Sequence, residues 1–336
     1  MRPRNVGLNR LALQALLDAA RPGTSVVRTR KLGGGLSALT DLVELRLADG
    51  TRERVVLRKQ RPEGRYGAPE VTQREFRTLV TLHSAGVPVP EPLCVDAEGR
   101  FFGQPALLTA YAGRPLIEPR QLSTWLSDLA TALAAIHRIT PATHDLSYLP
   151  SEGTDQIRVA VESGPRPEIA SDELALEVSA ALRRGLGKVA AIGPTFIHRD
   201  YHPGNVVWRR GRLTAVVDWT KAQVGDPRID VGQCRVEIAM LHGQDAADEF
   251  LAAYEEDTGP VLDLWFFDLL RGLLALTFWK EYLVGYAELG MTDSTGKRAE
   301  SRTREFLERA LERASGGERP TAKSQEPTAN GQQRRG

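Results

Sequence analysis

The stretch His198-Arg199-Asp200-Tyr201-His202-Pro203-Gly204-Asn205 is followed by Val206-Val207-Trp208, the basic turn Arg209 to Arg212, the apolar run Leu213 to Val217, and Asp218-Trp219. Two short β-prone runs around a basic, glycine-containing turn spell an antiparallel hairpin. Asn205 then stands just before the first strand and Asp218 just after the second, so both emerge at the same end. An amide oxygen and a carboxylate there can share one Mg²⁺, a hard cation that prefers oxygen ligands. Asp200 lies on the same tight loop, where it could orient and deprotonate a hydroxyl beside the metal. Turn chemistry alone also gathers Asp, Asn, Pro and Gly in loops. That reading stays open for Asp226, but it accounts poorly for Asp200, Asn205 and Asp218 together.

Working upstream, Ser25 to Gln60 reads as three strands. Val26 to Leu32 leads into Gly33-Gly34-Gly35-Leu36-Ser37. Asp41 to Leu47 alternates, with Val43, Leu45 and Leu47 on one face, and Asp49-Gly50 marks the turn into Arg54 to Gln60. From Glu70 to Ser84 the pattern is helical, with Val71, Phe76, Leu79, Val80 and His83 recurring at helical spacing and Gly86 placed to end the helix. The Pro-rich run 87–92 is extended, and another strand covers Ala106 to Tyr111. Near the start, Leu8, Leu11, Ala12, Leu16, Ala19 and Ala20 form an amphipathic stripe, with Arg10, Gln14 and Asp18 to solvent.

Beyond Gly113 the chain turns mostly helical. Leu122, Trp125, Leu126, Leu129, Leu133 and Ile136 mark one long helix, a loop-rich section runs to about Ile169, and a helix covers Asp172 to Leu186. Later helices cover roughly Val231 to Leu241, Ala246 to Tyr254, Val261 to Leu289 and Lys297 to Arg313. The fold expected is α+β and bilobal: a small antiparallel-sheet lobe at 1–108, a hinge at 109–113, and a larger mostly helical lobe at 114–314. Residues 315–336, rich in Gly, Pro, Ser, Gln and charge, read as a disordered tail.

Composition sets the bounds. A chain of 336 residues, 41% hydrophobic and 26% charged, suits two lobes with cores of their own. Its formal net charge of +1 gives no global field for nucleic acid or an acidic membrane. The apolar stretch Leu264 to Trp279 is interrupted by Asp268 and Arg271 and is short for a bilayer. Two distant cysteines, Cys94 and Cys234, indicate neither a zinc site nor a disulfide framework. No apolar targeting core follows Met1-Arg2-Pro3-Arg4, so a cytoplasmic protein is expected.

The motif residues resemble the aminoglycoside phosphotransferase and choline kinase-like family, distant relatives of protein kinases. Its His-x-Asp-x-x-x-x-Asn loop matches His198, Asp200 and Asn205. Its Asp-Trp followed by Gly-Asp-Pro-x-x-Asp matches Asp218-Trp219 and Gly225-Asp226-Pro227-Arg228-Ile229-Asp230. The resemblance implies that Asp200 is the catalytic base, that Asn205 and Asp218 hold Mg²⁺, and that His198 and Asp230 brace the loop. Weaker similarity extends from about Val26 to Tyr254.

On the nucleotide side, the run Gly33, Gly34, Gly35 with Ser37 would let backbone N–H groups approach phosphates. In the third strand, Val55-Val56-Leu57-Arg58-Lys59, Val56 and Arg58 share a face. The resemblance places Arg58 where relatives carry Lys, Val56 over the adenine, Glu75 as the partner of Arg58, and backbone groups of Thr109 to Tyr111 at the adenine edge. Arg binds phosphate through a wider fork than an ammonium. The expected cofactors are ATP, with GTP equally compatible, and Mg²⁺. The expected partner is a small-molecule hydroxyl acceptor, whose identity should be set by the helical lobe after Asp230. Its acids, among them Glu237 and Asp268, read more simply as solvated helix faces, and Trp265, Phe266, Phe267, Phe278 and Trp279 as core. Two rivals stand. A protein kinase shares His198-Arg199-Asp200, but Asp218 is followed by Trp219-Thr220 rather than Phe-Gly, and no Ala-Pro-Glu follows. A nucleotide-binding module without turnover is kept open by Arg58.

Overall fold

The computed structural model describes residues 9–32, 38–61, 67–151, 154–291 and 296–316. Gly33, Gly34, Gly35 and Ser37 lie outside the described residues, as do Leu8 and 317–336 of the expected tail. Ser315 and Gly316, the first two residues of that expected tail, are instead the end of a helix.

The fold is α+β and kinase-like. Strands β1 (Ser25–Lys31), β2 (Ala38–Arg46), β3 (Arg52–Gln60), β4 (Pro92–Asp96) and β5 (Ala106–Ala110) form one antiparallel sheet in the order β1-β2-β3-β5-β4. Its alternation follows the pleat. Val43, Leu45, Val55 and Leu57 are buried on one face beneath helix α1 (Arg10–Ala20), while Val56 and Arg58 are partly exposed on the other. The buried face also carries an ion pair, Lys59 Nζ to Asp41 Oδ2 at 3.5 Å.

Helix α1 turns a different stripe inward than the sequence pattern suggested. Leu13, Leu16 and Leu17 are buried, whereas Leu11 is 84% exposed and Ala19 and Ala20 are exposed. Leucines at 11, 13, 16 and 17 allow either face, and docking on the sheet selects one. Gln14 fixes that choice by donating to Thr24 O at 2.7 Å and accepting from Val26 N at 3.3 Å.

Helix α2 (Pro69–Ser84) is rotated too. It buries Thr72, Glu75, Thr78, Leu79 and Leu82, while Val80 and His83 are exposed. The reason is electrostatic: Glu75 must face Arg58, and a carboxylate cannot be buried without its partner. The sequence reading also missed β4 and helix α4 (Thr154–Ser163), which lie in stretches read as extended or loop-rich.

A two-residue strand, β6 (Arg114–Pro115), pairs with the hairpin β8 (Val206–Arg209) and β9 (Arg212–Val216). Gly113 precedes it at φ +155°, and a Cβ there would stand 2.5 Å from Trp208 O, so the backbone approach admits only glycine. Strand β7 (Thr195–Ile197) pairs with β10 (Gln223–Gly225).

The remaining mass is helical: α3 (Leu122–His137), α5 (Glu173–Gly185), α6 (Arg228–His242), α7 (Gln244–Thr258), α8 (Leu264–Glu288) and α9 (Gly296–Gly316). Their apolar faces meet in one core around Trp125, Leu133, Phe196, Trp219, Phe250 and Phe267, which continues into α2 through Leu79 and Leu82. Within α8 the backbone breaks helical geometry at Phe278 (φ −113°, ψ 19°). No helix among the described residues is long and apolar enough to cross a membrane.

Helix α6 is buried nearly all round, so its polar residues need internal partners. Arg235 donates to Asp268 Oδ1 at 3.1 Å, to Asp248 Oδ1 at 3.1 Å and to Ala247 O at 2.8 Å, and Arg313 reaches Asp268 Oδ2 at 2.9 Å. Asp268 is therefore a fully buried strut between α6, α8 and α9, not the solvated helix-face acid expected from the sequence. Replacing Arg235 by Ala leaves that carboxylate undercompensated and should cost about 3–5 kcal/mol of stability in urea unfolding. A loss below about 1 kcal/mol, the scale of an exposed pair, contradicts this account.

Candidate active site

Residues 198–205 link β7 to β8, and Asp230 in the first turn of α6 holds their start. Its carboxylate accepts from the backbone N–H of His198 at 2.6 Å and of Arg199 at 2.8 Å. The same carboxylate lies 3.3 Å from His137 Nε2, and His137 Nδ1 lies 2.7 Å from the Tyr254 hydroxyl. Burial pushes the Asp230 carboxyl up, but the hydrogen bonds from His137 and from the His198 backbone help outweigh it and hold the carboxyl below its ordinary value.

His198 joins the two functional loops. Its Nε2 is 2.9 Å from Val217 O, which can only accept, so Nε2 carries the proton. Nδ1 then accepts from the Asp200 N–H at 3.3 Å. Burial lowers the imidazole pKa, in keeping with this neutral tautomer. Arg199 (φ +69°) and Asp218 (φ +66°) both adopt left-handed backbone, so local strain flanks the site.

Asp200 keeps its carboxylate partly exposed and 2.8 Å from Lys221 Nζ. Burial opposes its ionisation, yet the charges of His202 and Lys221 keep the carboxyl below its ordinary value. Asn205 donates Nδ2 to Asp200 O at 3.0 Å, which fixes the amide orientation. Asp218 Oδ1 accepts from Arg58 and from Thr220 Oγ1, both at 2.8 Å. No hydrogen bond among the described residues falls on Asp218 Oδ2 or on Asn205 Oδ1. Those two oxygens suit a hard cation that keeps water and phosphate as its other ligands. Among the described residues no cluster of three or more His, Cys, Asp or Glu offers an all-protein metal cage.

Arg58 bridges Glu75 of α2 and Asp218. One terminal nitrogen contacts Glu75 Oε1 and the other reaches Asp218. One guanidinium thus serves two acids. Burial pushes both acids up. The Arg58 charge prevails at Asp218, holding it well below the usual carboxylate range. At Glu75 burial, aided by the Asp218 charge, prevails and pushes the carboxyl to about 7.

Across the sheet, Val56 pairs with Thr109. The N–H of Ala110 donates to Glu91 O at 2.9 Å and that of Tyr111 to Arg54 O at 3.0 Å. Two of the backbone donors expected at the adenine edge are thus already used by the sheet. The Tyr111 ring is covered by the Arg54 guanidinium, 4.6 Å from its centroid.

Sequence reading missed a group of residues beside Asp200. Glu237, read as a solvated helix-face acid, is instead buried and accepts from Gln233 and Tyr286, while Arg271 donates to Gln233. His202 Nδ1 lies 3.4 Å from Glu237 Oε2 and 3.2 Å from the Tyr286 hydroxyl. Lys221 was missed as well. Its only signal is its position at the end of the 3₁₀ turn Trp219–Lys221 that begins beside Asp218.

The shared guanidinium has a pH consequence. A carboxyl whose folded pKa is raised from 4.5 to about 7 favours the folded state below its unfolded pKa, and that contribution is lost as pH rises through about 7. Nucleotide-free wild-type protein should therefore lose stability relative to Glu75→Gln between pH 5.5 and 8.5, as read by urea unfolding at each pH. A stability difference that is flat over this window contradicts the arrangement.

A model of the phosphotransferase enzyme family (APH) matches residues 29–265. Mouse Acyl-CoA dehydrogenase family member 10 is 25% identical over 300 residues, covering 76% of this chain and 27% of that protein. The chain therefore spans about a quarter of the length of that relative. A solved Ralstonia eutropha protein provisionally assigned as an aminoglycoside phosphotransferase superposes with a TM-score of 0.63 at 18% identity, over 93% of this chain and 99% of that one. A thermostable aminoglycoside phosphotransferase variant, solved in ternary complex with AMP-PNP and hygromycin B, superposes at 0.59 with 17% identity, over 91% and 99%. The family match covers the sheet, the loop of Asp200 and the turn of Asp218, and the chain belongs to the phosphotransferase enzyme family.

Proposed function

We propose that this protein transfers the γ-phosphoryl group of ATP to a hydroxyl of a small molecule. The observation that carries this reading is the gathering of Asp200, Asn205 and Asp218: Asn205 donates to Asp200 O, Val217 N donates to Asn205 O at 2.8 Å just before Asp218, and the Asp218 charge acts on Asp200, with Arg58 tying Asp218 to Glu75. ATP as donor is supported by the fold neighbour that binds AMP-PNP. A cytosolic location follows from that donor. Residues 1–108 serve as the nucleotide lobe, 109–113 as the hinge and 114–314 as the acceptor lobe.

Each residue has a role in this reading. Asp200 accepts the hydrogen bond of the acceptor hydroxyl and takes its proton as the new bond forms. Its low pKa makes it a weak base, which suits a transition state in which the hydroxyl proton leaves late. Asn205 and Asp218 would hold Mg²⁺, which when bound neutralises phosphate charge. Arg58 adds positive charge at the phosphates and holds Asp218 in place. Val56 would cover the adenine, and its edge would be read by the backbone groups of Thr109 to Tyr111 other than the Ala110 and Tyr111 N–H groups that already donate within the protein. His198 and Asp230 stay outside the chemistry and set the loop geometry. Such catalysis is positioning and electrostatics more than covalent chemistry.

The acceptor is a hydroxyl-bearing small molecule of aminoglycoside, choline or sugar type. Asp200→Asn should lower turnover on the order of 10²–10⁴-fold in an ATP-consumption assay across sugars, amino alcohols and antibiotics, with nucleotide affinity preserved. Full activity in that variant would sink the base assignment. Tight ATP binding by the wild type with no turnover on any acceptor favours a nucleotide-binding module instead.

A further inference from the structure

Both terminal nitrogens of Arg58 are engaged by carboxylates, Glu75 on one and Asp218 on the other, and its side chain is only 14% exposed. A guanidinium so committed fixes Asp218 but has little freedom to follow a phosphoryl group as it moves from donor to acceptor. A second cation stands against Asp200. Lys221 closes the turn Trp219–Lys221, and the other two residues of that turn anchor it. Trp219 is buried and donates Nε1 to Val216 O at 2.9 Å, and Thr220 is buried and donates to Asp218. Lys221 alone of the three is exposed, at 39% of its side chain, and its ammonium stands on the carboxylate of Asp200. It is thus held three residues from Asp218 and in contact with Asp200, on a flexible stem that can shift while the turn stays fixed.

Building on the phosphotransferase reading above, we propose that Lys221 is a catalytic residue, whose ammonium binds the γ-phosphoryl oxygens between Asp200 and Asp218 during transfer. Without substrates the ammonium rests on Asp200. With ATP in place it hydrogen-bonds a γ-phosphoryl oxygen while remaining beside the Asp200 carboxylate. In the transfer step the acceptor oxygen bonds to the γ-phosphorus as the bond from that phosphorus to the β,γ-bridging oxygen breaks. The bonding pair leaves on ADP, and the acceptor proton passes to Asp200. Lys221 keeps its proton throughout and carries positive charge across with the phosphoryl group, as a transition state with charge spread over three equatorial oxygens requires.

The test needs no acceptor. Calorimetric binding of Mg²⁺·AMP-PNP and Mg²⁺·ADP is compared for the full chain, Lys221→Met and Lys221→Arg. A cation on the γ-phosphoryl group contributes to the first ligand only. Lys221→Met should therefore weaken AMP-PNP about tenfold or more while changing ADP less than about twofold. Lys221→Arg should recover most of the preference, and Lys221→Gln gives the same reading as Met should an apolar side chain disturb the turn. An AMP-PNP to ADP affinity ratio that is unchanged in the neutral variants overturns the assignment of Lys221 alone. A wild-type protein that binds neither nucleotide overturns the phosphotransferase reading and this inference with it.

Discussion

The guanidinium of Arg58 is the joint on which the site depends. It rises from β3 of the sheet, takes the buried Glu75 of α2 on one side, and reaches Asp218 beyond β9 on the other. Chain segments far apart in sequence thus share one cation, in surroundings where an unpaired charge is costly. The fork geometry of arginine makes this possible, since one ammonium nitrogen offers no comparable pair of parallel donors. Arg58 thus forms a bridge from Glu75 to the carboxylate of Asp218.

A second constraint holds the other wall. Asp230 receives two backbone amides of the 198–205 loop, and His198 ties the Asp200 amide to the carbonyl that precedes Asp218. These bonds fix backbone, so the loop can keep Arg199 and Asp218 in left-handed conformations that isolated chains avoid. Asp200 is then presented by a frame of bonded groups, His198 and Asp230. The division between groups that face the cleft and groups that hold the loop follows from which atoms are left unbonded.

Much of this was legible in the sequence. The hairpin after Asn205, the strand alternation that put Val56 with Arg58, and the helices of the larger lobe all follow from periodicity and turn chemistry. The helix faces were harder. In α1 and α2 the apolar stripe read from spacing is not the buried one, because docking on a sheet selects among leucines and because Glu75 must turn toward Arg58. Buried acids were harder still. Glu237 and Asp268 look like any helix-face carboxylate until Tyr286, Gln233 and Arg235 are seen to meet them, and of those partners only Gln233 lies on the same helix as the acid it meets. Lys221 carried no motif at all, since its significance lies in a contact with Asp200 across two loops.

The central claim is that Asn205, Asp218 and Asp200 act on one nucleotide phosphate. A crystal structure of the protein with Mg²⁺ and AMP-PNP tests it most directly. The account predicts a metal about 2.0–2.1 Å from Asn205 Oδ1 and an Asp218 carboxylate oxygen, with the γ-phosphoryl group facing Asp200. A metal or triphosphate bound away from these oxygens contradicts it.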